Sequence, residues 1–275
     1  MKKVYLFLAL AIPMMASAQL LEVGSTERVA KTGDAKVAAF SPTGDYLLLT
    51  NTSNQGLQRM DLATKKVTNL STAAGAGYNV QVSRNGKEVV YREVVTNAKQ
   101  MRSSNIVRHN FEIAKTQTVA KQQRSLVAMS VEAERPSFAI QDQQLMITEN
   151  GKTRVFSPNG EQYSYHWATL SPNGKKVCYY ISAVGCFVCD IDGSNIQFIA
   201  HSCYAPVWYN DNIIIASDTK DNGEVILESA IVAYSLDGQK QVLTNGNQIA
   251  VFPQTTVGKI AYSTSEGEVY VMNVK

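Results

Sequence analysis

Imidazoles and thiols are the groups best suited to chemistry near neutral pH, and this chain has few of either. Its 275 residues hold three histidines, His109, His166 and His201, and four cysteines, Cys178, Cys186, Cys189 and Cys203. A histidine titrates in the physiological range and ligates metals through either ring nitrogen. None of the three stands in an H-E-x-x-H pair, and neither a G-x-x-x-x-G-K phosphate loop nor a G-x-S-x-G nucleophile turn occurs. Asp190-Ile191-Asp192-Gly193 opens like a calcium loop but lacks the third ligand before the glycine and the distal glutamate, so it reads as a hairpin turn. The chain is read as a non-enzyme that needs no cofactor.

The cysteines lie close together, between positions 178 and 203. In an oxidising compartment such a group invites disulfides. Cys186 and Cys189 are three apart on one expected strand, so they face opposite sides, and a bridge between them would break the strand. With a turn at Ala183-Val184-Gly185, Cys178 is expected to face Asp190. Zinc is disfavoured because the paired-knuckle spacing is missing. Buried free thiols are the expected state, and a disulfide through Cys203 is the alternative.

The elements that position these groups come from a recurring phrase. Phe40-Ser41-Pro42-Thr43-Gly44-Asp45-Tyr46-Leu47-Leu48-Leu49 returns as Val82-Ser83-Arg84-Asn85-Gly86-Lys87-Glu88-Val89-Val90-Tyr91 and as Leu170-Ser171-Pro172-Asn173-Gly174-Lys175-Lys176-Val177-Cys178-Tyr179. Weaker copies begin at Phe138, Trp208 and Phe252, making six. With Gly44, Gly86, Asp142, Gly174, Asp211 and Gly258 as turn markers, the intervals are 42, 56, 32, 37 and 47 residues. The long interval predicts an insertion and the short one a trimmed unit. Each unit has a second half: a strand, a polar turn such as Asp192-Gly193 or Asp237-Gly238, and another strand. Repeats of four short strands at about 40–50 residues are propeller blades. The fold class is therefore all-β, a six-bladed β-propeller of four-stranded antiparallel blades. The last repeat supplies three strands, so Leu20-Leu21-Glu22-Val23-Gly24 is expected to add the outer strand that closes the ring.

Aligned on the repeat, Lys36, Tyr78, Glu134, His166, Tyr204 and Gln248 fall where the innermost strands begin, at one mouth of the central channel. His201 lies in the loop leading to Tyr204. These seven residues are the candidate binding rim, a mixture of polar and aromatic groups suited to a peptide end or a small polar ligand. Water reaching the mouth would by itself also select polar residues there.

The repeats resemble the TolB-like WD-repeat propellers. Ser171-Pro172-Asn173-Gly174-Lys175-Lys176, Asp190-Ile191-Asp192-Gly193-Ser194-Asn195 and Tyr204-Ala205-Pro206-Val207-Trp208 match that pattern best. The resemblance covers most of residues 28–275. It implies a cell-envelope setting, with a protein partner as the expected ligand and a peptide or glycan as further possibilities. The resemblance extends to the propeller alone, so neither the separate N-terminal domain of TolB nor the hydrolase domain of related peptidases is expected. Some propellers of similar repeat are polysaccharide lyases that hold a metal with histidine and glutamine, and His166, His201 and Gln248 are the residues that could imitate them. An enzyme of this kind, or a glycan-binding protein, is the alternative reading.

The start of the chain reads as a secretory signal peptide over residues 1–18. Lys2 and Lys3 precede an apolar run from Val4 to Met15, and Ala16-Ser17-Ala18 precedes an expected cleavage before Gln19. The apolar run is shorter than the ~20 residues a membrane span needs. One domain over residues 19–275, a monomer in the periplasm or secreted, is the expectation. Without Lys2 and Lys3 the charges nearly balance, which points away from nucleic acid. Residues 84–124 are locally basic, with nine Lys/Arg against three Glu. That segment is either a solvated sheet edge or an attractant for an acidic partner or anionic glycan.

Overall fold

The computed structural model describes residues 19–123, 131 and 135–275, all strands and turns; the expected signal segment lies outside them. The first strand is β1 (Val23–Lys31). Blade 1 follows with β2 (Ala35–Phe40), β3 (Tyr46–Asn51), β4 (Leu57–Asp61) and β5 (Val67–Ser71). Blade 2 has β6 (Gln81–Val82), β7 (Glu88–Thr96), β8 (Arg102–Asn110) and β9 (Lys115–Gln123). Blade 3 has β10 (Ser137–Gln141), β11 (Gln144–Glu149) and β12 (Lys152–Val155). Blade 4 has β13 (Tyr165–Leu170), β14 (Lys176–Ile181), β15 (Gly185–Asp190) and β16 (Gln197–Ala200). Blade 5 has β17 (Tyr204–Trp208), β18 (Ile213–Asp221), β19 (Ile226–Ser235) and β20 (Lys240–Val242). Blade 6 has β21 (Ala250–Thr256), β22 (Lys259–Thr264) and β23 (Glu268–Val274). β1 pairs antiparallel with β23, from Val23 opposite Val274 to Lys31 opposite Glu268. Both ends of the described chain thus share blade 6, and the ring is closed.

The second strand of each blade is sandwiched between neighbours, which explains its unbroken apolar run. In β3, Leu47 and Leu49 pack toward blade 6, whereas Tyr46 and Leu48 pack toward blade 2. In β14, Val177, Tyr179 and Ile181 face blade 3, and Cys178 and Tyr180 face blade 5. Side chains alternate across a strand, so a strand buried on both faces needs apolar residues at every position. Each large side chain so buried contributes about 1.5–3 kcal/mol. Buried polar tips cross between blades. Tyr46 Oη donates to Gly86 O at 2.8 Å, Trp208 Nε1 to Thr169 O at 3.2 Å, and Thr255 Oγ1 to Trp208 O at 2.6 Å.

Three expectations change in register. The closing strand begins at Val23 rather than Leu20, because Leu21 is drawn into the core between blades 5 and 6. Cys178 faces Val188, not Asp190. The β14–β15 loop is Ser182-Ala183-Val184, one residue earlier than expected, and moving a turn centre by one residue moves the register by two. Lys176 takes the place opposite Asp190 and pairs with it at 2.7 Å.

The third change concerns blade 3. The Asp142-Gln143 turn is not equivalent to the Gly44 turn. Tyr165 N donates to Gln143 O at 2.8 Å, placing that turn beside the start of β13, while Arg135 Nη2 donates to Ser171 O at 2.8 Å, beside the end of β13. β10 therefore runs opposite to β13 and occupies the place of a second strand. Measured from Arg135, the intervals are 49 residues from Gly86 and 39 to Gly174. The apparent insertion and the apparent trimming were one misplaced marker.

All four cysteines are buried free thiols. Cys186 and Cys189 do face opposite sides, packing against blades 5 and 3 respectively. Cys178 Sγ lies 3.3 Å from Cys186 Sγ. Burial pushes every one of these thiols upward in pKa, that of Cys189 to about 12.

Candidate functional site

The innermost strands do not run straight past the channel. β2, β13, β17 and β21 each carry a bulge near their start, between Val37 and Ala39, His166 and Thr169, Tyr204 and Val207, and Val251 and Gln254. A bulge bends its strand and re-aims a side chain. Here it sets Trp167, Ala205 and Phe252 in the left-handed region, with φ of 47°, 48° and 52°; Asn79, ahead of β6, has φ of 53°. Non-glycine residues rarely hold this conformation, and bulky ones least of all. All four line a cavity of about 460 Å³ at the ring centre.

The cavity wall is cationic and aromatic. Lys36, Arg84 and Arg135 line it, together with Tyr78, Trp167, Phe252 and the amides of Asn54, Asn79, Gln81 and Gln254; no carboxylate is among the described lining residues. Lys36 Nζ donates to Asn54 Oδ1 at 2.6 Å and sits 5.0 Å from the Phe252 ring centre. Burial lowers its pKa below the ordinary lysine value. Trp167, 40% exposed, makes an edge contact with Tyr204 at 5.8 Å and tilts over Tyr180 at 5.5 Å. This wall suits binding of anionic and planar groups.

Of the seven residues expected at the rim, Lys36 and Tyr78 line the cavity. His166 lies against Trp167 at 5.8 Å, half-buried, with its pKa lowered by burial. Tyr204 is packed 4.9 Å from Tyr180, behind Trp167. His201 is turned away: its Nδ1 lies 3.0 Å from Val184 O and its ring 4.8 Å from Phe198, over the β14–β15 turn. Gln248 is spent on Tyr262, to whose Oη its Nε2 donates at 3.0 Å. Register places Val251, not Gln248, level with His166 and Tyr204, because the β21–β22 turn has two residues where the β2–β3 loop is longer. Glu134 lies outside the described residues. His201 and Gln248 are thus engaged elsewhere while His166 stays beside Trp167, and no group of three His, Cys, Asp or Glu suited to a metal occurs among the described residues.

Trp167, Phe252, Asn54 and Arg92 escaped the sequence reading. Trp167 was within reach of it, since it directly follows the rim position His166. Within the basic segment, Lys87 pairs with Glu112 at 2.7 Å and Arg108 with Glu88 at 3.7 Å, while Arg92 is buried. Part of its charge is therefore internal. A second cavity of about 480 Å³ lies between β1 and blade 1, lined by Asn51, Gln55, Gln58, Asn69 and other mostly uncharged residues.

No family model matches the chain, and neither does any curated protein. Solved structures do match it. An Agrobacterium tumefaciens protein assigned to TolB is 17% identical at a TM-score of 0.62, covering 90% of this chain and 92% of that one. An auxiliary nutrient binding protein from Bacteroides thetaiotaomicron is 11% identical at 0.60, covering 89% and 70%. Oligogalacturonate lyase from Vibrio parahaemolyticus is 10% identical at 0.52, covering 85% and 76%. The resemblance to TolB-like propellers holds at the level of the fold. A nutrient binding protein and a lyase share that fold, so the fold leaves the activity open.

Proposed function

We propose that this chain is an exported, non-enzymatic propeller that binds a protein partner in the cell envelope through its channel mouth. The signal-like segment at residues 1–18 supports export. The observation that carries the binding reading is Lys36. It is half-buried, held between Asn54 and the Phe252 ring, and it has no ion pair among the described residues. A desolvated cation without a counter-charge is costly, and a carboxylate brought by a ligand offsets that cost. Trp167, Tyr78 and Phe252 around it supply the broad apolar faces that anchor a peptide segment. A rigid ring with exposed strain at its mouth is a binding scaffold.

The test is capture from a native envelope fraction by immobilised protein of residues 19–275, beside Trp167→Ala and Phe252→Ala. A partner retained by the parent and lost by both variants supports the reading. Equal capture by all three moves the site elsewhere. Turnover of a uronate oligosaccharide by the purified protein would replace the reading with the lyase alternative.

A further inference from the structure

The connection between β5 and β6, Thr72-Ala73-Ala74-Gly75-Ala76-Gly77-Tyr78, is pressed into the junction of blades 1 and 2. Val94 N donates to Ala74 O at 2.9 Å, and a Cβ on Gly75 would meet Val94 Cγ2 at 2.7 Å and the Arg92 stem at 3.8 Å. Gly77 has no room at all for a side chain, since a Cβ there would stand 2.1 Å from Thr50 Oγ1. Its N–H donates to Asn54 O at 3.1 Å, and Asn54 in turn receives Lys36. The loop ends in Tyr78, which is 43% exposed in the cavity and whose ring centre lies 5.2 Å from the Arg92 guanidinium carbon. Lys36, Asn54 and Tyr78 thus form one connected corner of the mouth, and Arg92 lies behind the Tyr78 ring, outside the cavity lining.

Arg92 is the unusual member. It is 4% exposed, and its Nε has no hydrogen-bond partner. No carboxylate pairs with it among the described residues. Glu93, its neighbour on β7, is turned to the other face of the strand and accepts a bond from Ser71 Oγ at 2.7 Å. A buried arginine normally has an anion within reach of its planar fork. Here the loop from Thr72 to Tyr78 lies over the cation, and the Tyr78 ring stacked on its guanidinium is itself half open to the channel.

We propose that Arg92 and Lys36 form an oxyanion subsite at the blade 1–blade 2 corner of the mouth, with Tyr78 as its movable cover, and that it takes a side-chain carboxylate of an acidic segment. The guanidinium supplies a bidentate fork and the ammonium a point charge. This rests on the reading that the channel binds a protein partner, and it names the chemistry of the segment bound.

The experiment is thermal unfolding of residues 19–275 with a tetraglutamate peptide, a tetraglutamine peptide, or inorganic sulfate, at constant ionic strength. Tetraglutamate at ten times its Kd should raise Tm by about 3 °C or more, saturably. Tetraglutamine should not. Arg92→Met, which removes a buried unpaired charge at similar volume, should fold and lose the rise. If Arg92→Met fails to fold, Lys36→Met, at a partly exposed position, must weaken the apparent Kd at least about tenfold. A full rise in Arg92→Met, no rise in the parent, or a rise with sulfate alone overturns the proposal. Failure here stays distinct from failure of the partner reading, because these probes need no partner and Trp167→Ala should keep the tetraglutamate rise.

Discussion

Replacing Gln241 by alanine should loosen the ring where its two ends meet. The Gln241 side chain, on β20, acts as a short piece of strand for the incoming chain. Its Oε1 accepts from Leu20 N and from Leu21 N, both at 2.8 Å, and its Nε2 donates to Leu21 O at 2.8 Å. At a net ~0.5–1.5 kcal/mol per bond, loss of all three costs roughly 1.5–4.5 kcal/mol. The lower half of that range applies, because β1–β23 pairing and the reciprocal bonds between Glu22 and Lys275 remain. A loss of about 2 kcal/mol lowers Tm by roughly 4–8 °C in a domain of this size. Thermal unfolding measures it, and limited proteolysis should cleave residues 19–31 faster in the variant. Gln241→Glu keeps the acceptor but sets a carboxylate against Leu21 O, so it should fall between the parent and the alanine variant. A Gln241→Ala protein melting within about 1 °C of the parent would refute the reasoning. The clasp would then be redundant with β1.

Leu21→Ala should cost more than Gln241→Ala, about 2–5 kcal/mol, because Leu21 fills the core between blades 5 and 6; urea midpoints with an unchanged slope would show it. Tyr46→Phe should cost about 1 kcal/mol by removing the bond to Gly86 O, read as a shift in the same midpoint. His109 and His166 are held below the ordinary 6.5 by burial, His109 also by the charge of Arg59. Their folded values are depressed, so the unfolded chain takes up more protons and stability falls as pH drops through 6.5 toward those values. The double replacement by glutamine should flatten that fall between about pH 7.5 and 5.5, and an unchanged slope would count against it. The four buried thiols should resist iodoacetamide in the native state and react on unfolding, as mass spectrometry would report; native labelling of Cys178 or Cys186 would show that the blade 4–5 core opens.

The repeat was legible because it is local. A Ser-Pro-Asn-Gly-Lys turn at Ser171–Lys175, or an Asp-Gly at Asp192-Gly193, states its geometry within four residues, and the apolar runs beside it report burial on both faces. Six blades and closure by the N-terminal strand could be read from such signals. Blade 3 was misread where the local signal is weak: Asp142-Gln143 makes a tight turn like the others, and only its hydrogen bond to Tyr165 shows which face of the ring it occupies.

The mouth was legible in part for the same reason. Lys36 and Tyr78 follow from counting back along a repeat, but a bulge adds a residue that counting does not see, and Trp167 and Phe252 enter the channel because of bulges. Arg92 could not be found this way at all. Its sequence neighbours on β7 look like any other strand, and its charge appears solvated until the loop from Thr72 to Tyr78 is folded over it. Strand pattern is decided by residues two to four apart. Which charges lose their water is decided by segments that meet only when the ring closes.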